Sequence, residues 1–417
     1  EGSHAKNGGL AARYALTPEQ TLEAGWSGGK EQRVYDTSST SKGVYRSTYD
    51  IDRSQAHVGW EGQFDNWRGK LRAYRSEIDI ANRASNGATP TRPQNMVDDV
   101  LDGHASFALG AHKVTVGGEW RRETLENAGL KNGVDDAAHK ALFAQDEIAL
   151  TDTLMLTAGL RADHHELFGS EVSPRAYLVW EPTPALVVKG GFGHAFKAPT
   201  LKQISPNYVG AEGPHTFAGN GNIKPESSNS FEVGADWQVA PAWSLRATVF
   251  NTEVKDLITY RLLRQEGVRR FYQYDNVDAA RIQGLEAGMT WDMTRQLAWS
   301  NDLTLLHTRD KSTGKKLADR PSSSLTSRLE WKGAEGWSAR LTGEFTASQT
   351  GTDGAALPSY ALWSASVGKQ FALDARRKLV LRAGLENIGN VNLAEKSESF
   401  GYAERARRVF VTARVDF

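Results

Sequence analysis

The feature that most constrains this chain is a two-residue alternation of apolar and polar side chains, sustained in segment after segment with the apolar set on one parity. From Trp243 the apolar positions are Trp243, Leu245, Ala247 and Val249, against Ser244, Arg246 and Thr248. From Trp337 they are Trp337, Ala339, Leu341 and Phe345, against Ser338, Arg340, Thr342 and Glu344. Leu379, Leu381, Ala383 and Leu385 oppose Lys378, Arg382 and Glu386, and Val409, Val411, Ala413, Val415 and Phe417 oppose Arg408, Thr412, Arg414 and Asp416. Successive strand residues point to opposite faces, so each segment reads as a β-strand with one oily and one polar surface. Strands of soluble sandwiches run about 5 to 6 residues. These run about ten or longer, the length a tilted strand needs to cross a bilayer.

The connections alternate as well. Tight, turn-like stretches fall at 17–20, 65–66, 111–113, 151–153, 181–184, 240–242, 293–296, 333–336 and 373–377. Longer polar stretches fall at 34–48, 80–97, 126–138, 196–226, 261–270, 309–320 and 389–404, and are expected to be loops. Short turns on one side and long loops on the other are the asymmetry of an outer-membrane barrel. Tryptophan gives an independent test. Trp67, Trp243, Trp299 and Trp337 follow short turns, and Trp180, Trp237, Trp291 and Trp331 precede them. That clustering marks one rim as a membrane interface, whereas a plain strand preference would scatter Trp along the strands. The count is about nineteen strands, the first and the last both running inward. The fold class expected is therefore all-β: a transmembrane antiparallel β-barrel, nineteen strands of a 22-strand barrel whose first strands are missing, with 1–417 forming one N-terminally truncated barrel domain.

Composition is consistent with this and narrows the alternatives. The 417 residues include 50 basic and 50 acidic side chains and no Cys, and mean hydropathy is −0.51. No run approaches the roughly 18 apolar residues of a membrane-spanning helix, whereas a barrel averages to a hydrophilic composition. Zero net charge gives no drive toward nucleic acid, which is not an expected partner. Disulfides and Cys-based metal sites are excluded outright. The chain opens on Glu1 with no signal segment, so it reads as a mature or truncated sequence.

Six motifs in order carry a family likeness: 173–177 (SPRAY), 195–201 (AFKAPTL), 224–226 (KPE), Asn276-Val277 with 282–286 (IQGLE), 387–390 (NIGN), and the terminal strand from Arg408 to Phe417. Together they resemble the TonB-dependent outer-membrane receptors of the colicin I receptor and catecholate-siderophore type, over essentially the whole chain. The resemblance implies active import of a ferric siderophore of the catecholate class, energised through TonB. The transported chelate is the ligand and no cofactor is implied. It also implies a plug domain bearing the TonB-contacting segment, neither of which is found in this sequence. Receptors for haem, cobalamin and hydroxamates share the architecture, and a passive porin is the other alternative. Bacteriocins are possible partners of such a surface, alongside outer-membrane lipid and lipopolysaccharide, and the expected state is a monomer. Phe417 resembles the terminal aromatic read by the barrel-insertion machinery.

Each motif also has a physical reading. Pro199 and Pro225 bracket a long loop, as suits proline's exclusion from central strand positions, and Gly284 inside a strand suggests a bulge or a close backbone approach.

Catalysis is not expected, because the barrels with hydrolase activity are much smaller. His164, His165 and Glu166 invite a metal reading, but adjacent strand residues face opposite ways and cannot all ligate one ion. Between Tyr260 and Tyr274, by contrast, Arg261, Arg264, Arg269 and Arg270 interleave with Phe271, Tyr272 and Tyr274. Guanidinium groups beside rings offer charge and stacking to an aromatic trianion such as a ferric catecholate. The bland alternative is that they meet anionic lipopolysaccharide. A second basic stretch holds Lys315 and Lys316, and a third candidate holds Tyr208, His215 and Phe217, exposed aromatics that are costly without a purpose.

Overall fold

A computed structural model describes residues 2–39, 43–87, 93–212, 215–351, 354–374, 376–397, 399–400 and 406–416. The strands are β1 (Gly2–Thr17), β2 (Gln20–Ser39), β3 (Gly43–Gln63), β4 (Trp67–Ala84), β5 (Gln94–Leu109), β6 (His112–Asn127), β7 (Val134–Thr151), β8 (Leu154–His165), β9 (Gly169–Thr183) and β10 (Leu186–Lys197). There follow β11 (Val209–Glu212), β12 (His215–Ala218), β13 (Glu226–Ala240), β14 (Trp243–Glu266), β15 (Arg269–Asp292), β16 (Leu297–Asp310), β17 (Ser323–Lys332) and β18 (Trp337–Thr346). The last are β19 (Gln349–Thr350), β20 (Ala356–Leu357), β21 (Tyr360–Ala372), β22 (Lys378–Glu386) and β23 (Arg408–Asp416). Two single-turn helices, α1 (Leu201–Ile204) and α2 (Leu393–Lys396), sit between strands. Among the described residues twenty-one strands share one hydrogen-bonded sheet, and β19 pairs only with β20. Setting aside the four strands of two to four residues leaves the nineteen principal strands that the alternation predicts.

Two compact units are distinguished, one of Glu1–Ala176, Gly193–Ser228 and Lys255–Asp278, the other of Tyr177–Phe192, Asn229–Val254 and Ala279–Phe417. In the first, β1 through β8 pair antiparallel, each with the next. In the second, β15 through β18, then β21, β22 and β23, do the same.

Register fixes which residues share a face. Across the second unit Trp331, Ala339, Val367, Ala383 and Val411 lie side by side, and next to them Leu329, Leu341, Ala365, Leu385 and Val409. On the opposite face Glu330 is paired with Arg340, and Arg246 with Asp302. In the first unit one row runs Tyr14, Leu22, Trp60, Leu71, Gly103, Gly118, Leu142. Its reverse face carries the ion pairs Arg13–Glu23, Arg72–Asp102 and Arg161–Asp163 at 2.7, 3.0 and 2.9 Å. The apolar rows are exposed rather than buried: Leu142 is 72% exposed and Val411 74%. That is how a sheet looks when lipid is the solvent of its outer face.

All nine short connections are turns at or within two residues of the expected places. Two of the expected loops are not loops. β2 and β3 stay paired out to Ser39 and Gly43, and β14 and β15 run 24 residues each, so 34–48 and 261–270 are largely strand. A hairpin arm that extends past the bilayer is wetted on both faces, so nothing requires it to alternate, and a period-two reading takes it for loop. Gly284 makes no bulge, since β15 pairs regularly with β16 through it. It is a close approach instead: a Cβ there would lie 2.5 Å from the Phe250 ring and 2.8 Å from the Leu305 carbonyl oxygen. Phe417, the expected assembly residue, lies outside the described residues.

Candidate functional site

About 9 to 11 tilted residues cross a bilayer, so more than half of β14 and of β15 lies beyond it. The two arms meet at Gly267, whose φ of 59° is the left-handed conformation glycine tolerates best. Beyond the point where β16 stops pairing, the edge of β15 is taken by β12, which joins it in parallel with Thr216 opposite Phe271, Phe217 opposite Tyr272 and Ala218 opposite Gln273. β12 is itself one arm of a small antiparallel hairpin with β11.

Asparagine side chains fasten this arrangement. Asn276 Nδ2 donates to the carbonyls of Asp256 and Lys224 at 2.7 and 2.9 Å, and its Oδ1 accepts from the Lys224 amide at 2.7 Å. Asn220 Nδ2 donates to the Tyr274 carbonyl at 3.0 Å, and Glu226 Oε1 accepts from the Ile258 amide at 3.0 Å. Asp256 has φ 55°, a left-handed residue within β14 whose carbonyl accepts from Asn276. Two motifs that carry the family likeness, at 224–226 and at Asn276, are thus partners in one clamp. Their proximity is not readable from spacing. An asparagine deep in a strand, where that residue is disfavoured, was the available signal.

The clamp delivers His215 and Phe217 to the aromatic side chains of the long hairpin. Phe217 stacks on Tyr272 with ring centroids 5.1 Å apart, and Tyr260 meets both edge-on at 5.2 and 5.1 Å. His215 meets Tyr272 edge-on at 6.1 Å, and its Nδ1 is buried without a hydrogen-bond partner. Three candidates from separate stretches of sequence are therefore brought together, and Tyr260 joins them.

The four arginines are not equivalent. Arg261 is paired with Asp275 at 3.1 Å. Arg264 lies over the Phe271 ring at 4.0 Å and contacts Glu266 at 3.1 Å. Arg269 and Arg270 are exposed and have no ion pair among the described residues. In the same hairpin Leu263 and Val268 are exposed, the latter by 79%. The strand that carries Tyr272 therefore also carries two guanidinium groups without ion pairs among the described residues, Arg270 on the same parity as Tyr272 and Arg269 on that of Phe271.

The remaining candidates lie elsewhere. Tyr274 engages the clamp through its carbonyl. Tyr208 packs against Leu125, Leu130 and Leu201 in a small core, away from the role expected of an exposed ring. Lys315 and Lys316 belong to the second unit, on a turn organised by Asp310, whose carboxylate accepts from Thr313 Oγ1 at 2.7 Å and from the Ser312 and Thr313 amides at 2.8 and 3.1 Å. Those bonds, led by the Thr313 hydroxyl, hold the Asp310 carboxyl below its ordinary range. His165 is buried against Glu123 at 3.2 Å, while His164 turns to Ser170 at 2.9 Å. The two histidines diverge, and among the described residues no group of His, Asp and Glu is placed to hold a metal.

The family model described as TonB dependent receptor-like, beta-barrel matches residues 3–388. The chain belongs to that family, an antiparallel β-barrel of the Gram-negative outer membrane. It is 27% identical to the ferric enterobactin receptor PirA of Pseudomonas aeruginosa, over 97% of this chain and 64% of that protein. It is 26% identical to the iron-regulated outer membrane virulence protein of Vibrio cholerae, again over 97% of this chain and 64% of the relative. A crystal structure of a ferric enterobactin receptor mutant from Pseudomonas aeruginosa has the same fold, with a TM-score of 0.85 at 23% identity, covering 99% of this chain and 69% of that one. This chain spans just under two thirds of the length of the two curated relatives.

Proposed function

We propose that this barrel belongs to a receptor that imports a ferric catecholate siderophore across the outer membrane, energised through TonB, and that its work is transport without catalysis. The observation that carries the reading is the β14–β15 hairpin, where Arg269 and Arg270 stand exposed and without ion pairs among the described residues, in the same strand as Tyr272, against which Phe217 and Tyr260 pack. A ferric tris-catecholate is a trianion with aromatic edges and faces. Guanidinium groups answer its charge by charge-assisted hydrogen bonds, and rings answer its flat surfaces. Two relatives named for ferric enterobactin support the choice of chelate.

The alternative for the arginines is contact with lipopolysaccharide. Arg264 already has an acidic partner and a ring, so Arg269 and Arg270 make the sharper test. In the full-length receptor, Arg269→Ala with Arg270→Ala is expected to weaken binding of ferric enterobactin by about 1 to 3 kcal/mol, the range for hydrogen bonds to charged groups. The loss should shrink at high salt, because exposed charges are screened within about 8 Å at physiological ionic strength. Titration of the purified double variant with an affinity equal to wild type would remove this hairpin from the ligand site and leave the lipopolysaccharide role.

A further inference from the structure

Within the first unit lies a cavity of about 140 Å³ whose walls include Tyr49, Ile80, Asn82, Gln94, Lys202 and Tyr208. Lys202 stands on α1, and that single turn cannot rotate, because Leu201 and Ile204 on either side of it are buried. The Lys202 ammonium donates to Gln94 Oε1, a neutral group, and has no ion pair among the described residues. Burial pushes its pKa below the ordinary lysine value. An ammonium carries three donors, so two remain for whatever enters the cavity. Across the same wall the Oδ1 atom of Asn82 is buried and accepts no hydrogen bond. A desolvated cation and an orphaned acceptor both cost free energy until a partner satisfies them.

The rest of the wall is formed by Tyr49, Ile80, Tyr208, Gly210 and Ala211, with Asn127, whose Oδ1 already accepts from the Gly129 amide at 2.8 Å. Tyr49 is backed by Tyr35, stacked at 5.5 Å. Tyr208 is seated over two glycines: a Cβ at Gly129 would lie 2.8 Å from its ring, and one at Gly210 would strike its hydroxyl. The volume suits one six-membered ring, since a dry cavity of about 150 Å³ takes benzene. What fits is therefore a flat ring bearing an anionic oxygen beside a hydroxyl. Hydrogen phosphate has the same pair of groups, but it would leave the ring walls unmatched and set several charged oxygens against one ammonium.

We propose that this cavity is a second binding site, for a single metal-free catechol ring, one of whose hydroxyls releases its proton to solvent on binding and is held as the anion by Lys202, while the other donates to Asn82. The choice of catechol rests on the catecholate reading of the receptor. With both oxygens engaged by the protein, a ring held here cannot chelate iron at the same time, so the site takes an iron-free ring and not the ferric complex.

The full-length receptor in detergent is titrated by calorimetry with catechol, with inorganic phosphate and, separately, with ferric enterobactin, for wild type, Lys202→Met and Asn82→Leu. Catechol affinity is expected to fall about tenfold or more in each variant, as for a lost hydrogen bond to a charged or buried group, while the affinity for ferric enterobactin stays at its wild-type value and certifies the fold. Absence of catechol binding to wild type, equal catechol affinity in the variants, or displacement of catechol by phosphate overturns the proposal. Failure of ferric enterobactin to bind wild type overturns the transport reading instead, and the catechol titration still decides the cavity, with heat-modifiable mobility then certifying the fold.

Discussion

Replacing Asn276 with alanine should loosen the loop that precedes β13 without touching the barrel wall. The side chain makes three hydrogen bonds, to the Asp256 carbonyl and to both backbone groups of Lys224. Each contributes about 0.5 to 1.5 kcal/mol net, and the site is partly open to water, so the loss falls in the lower half of the sum, at about 1.5 to 3 kcal/mol. Because this is a local clamp, the cost should appear as easier local opening and not as global unfolding. Amide hydrogen exchange of the full-length receptor is the assay. Protected amides in 215–226 should exchange about 10- to 150-fold faster, the rate equivalent of that energy, while β1 through β8 keep their protection. Asn276→Asp should not rescue. It retains an acceptor for the Lys224 amide but turns a carboxylate oxygen toward two carbonyls. Unchanged exchange in 215–226, or rescue by aspartate, would refute the clamp.

Three further outcomes follow from the structure. Leu341→Arg places a charge on the apolar row and should cost about 2 to 4 kcal/mol near the bilayer midplane, sharply reducing heat-modifiable receptor, whereas Arg340→Leu on the other face should insert normally; equal insertion of both would invert the assigned faces. Gly284→Ala drives a methyl group into the Phe250 ring and the Leu305 carbonyl, so Tm should fall by the equivalent of about 1 to 3 kcal/mol of overpacking, with partial recovery in Gly284→Ala with Phe250→Leu; an unchanged Tm would show that the approach is slack. For Asp310 the folded pKa is depressed, so its contribution is present above the unfolded value of about 3.9 and is lost as pH falls through the lower folded value. A spin label at Lys315→Cys, the only thiol in a chain without cysteine, should therefore be ordered at neutral pH and still ordered at the unfolded value, becoming mobile only as pH falls further, through the lower folded value, while Asp310→Asn should be mobile throughout; a label indifferent to both acid and variant would refute the turn's dependence on this carboxylate.

What could be read from the sequence follows the boundary between lipid and water. Where lipid bathes one face, as along Trp337–Thr346, chemistry enforces alternation, and strand, parity and turn were all legible. Above that level the constraint lapses. Tyr260 to Tyr274 reads as a loop because both arms of the hairpin are wetted, and so the sequence shows Tyr260 as a boundary and not as a member of the ring cluster. The candidates His215, Phe217 and Tyr272 were recognisable by type, but their meeting depends on β12 pairing in parallel with β15, a contact across more than fifty residues that no local pattern encodes. Tyr208 reads in the sequence as an exposed ring, whereas in the fold it packs on Leu125, Leu130 and Leu201 and walls the Lys202 cavity. For Lys202 and Asn82 the sequence held no signal at all, since each is an ordinary polar residue until the fold buries it.

The parallel docking of β12 on β15 also bears on how the folded receptor keeps to itself. A hairpin arm standing free in water presents a ladder of unpaired amides and carbonyls, which any extended stretch on a neighbouring cell-surface molecule could zip onto. By covering the rungs at Phe271, Tyr272 and Gln273 with its own chain, the protein closes that ladder where the edge would otherwise be sticky. Variants that lengthen or unpin the β11–β12 hairpin should therefore show their fault first in crowded membranes, as receptors that cluster edge to edge while each remains correctly folded.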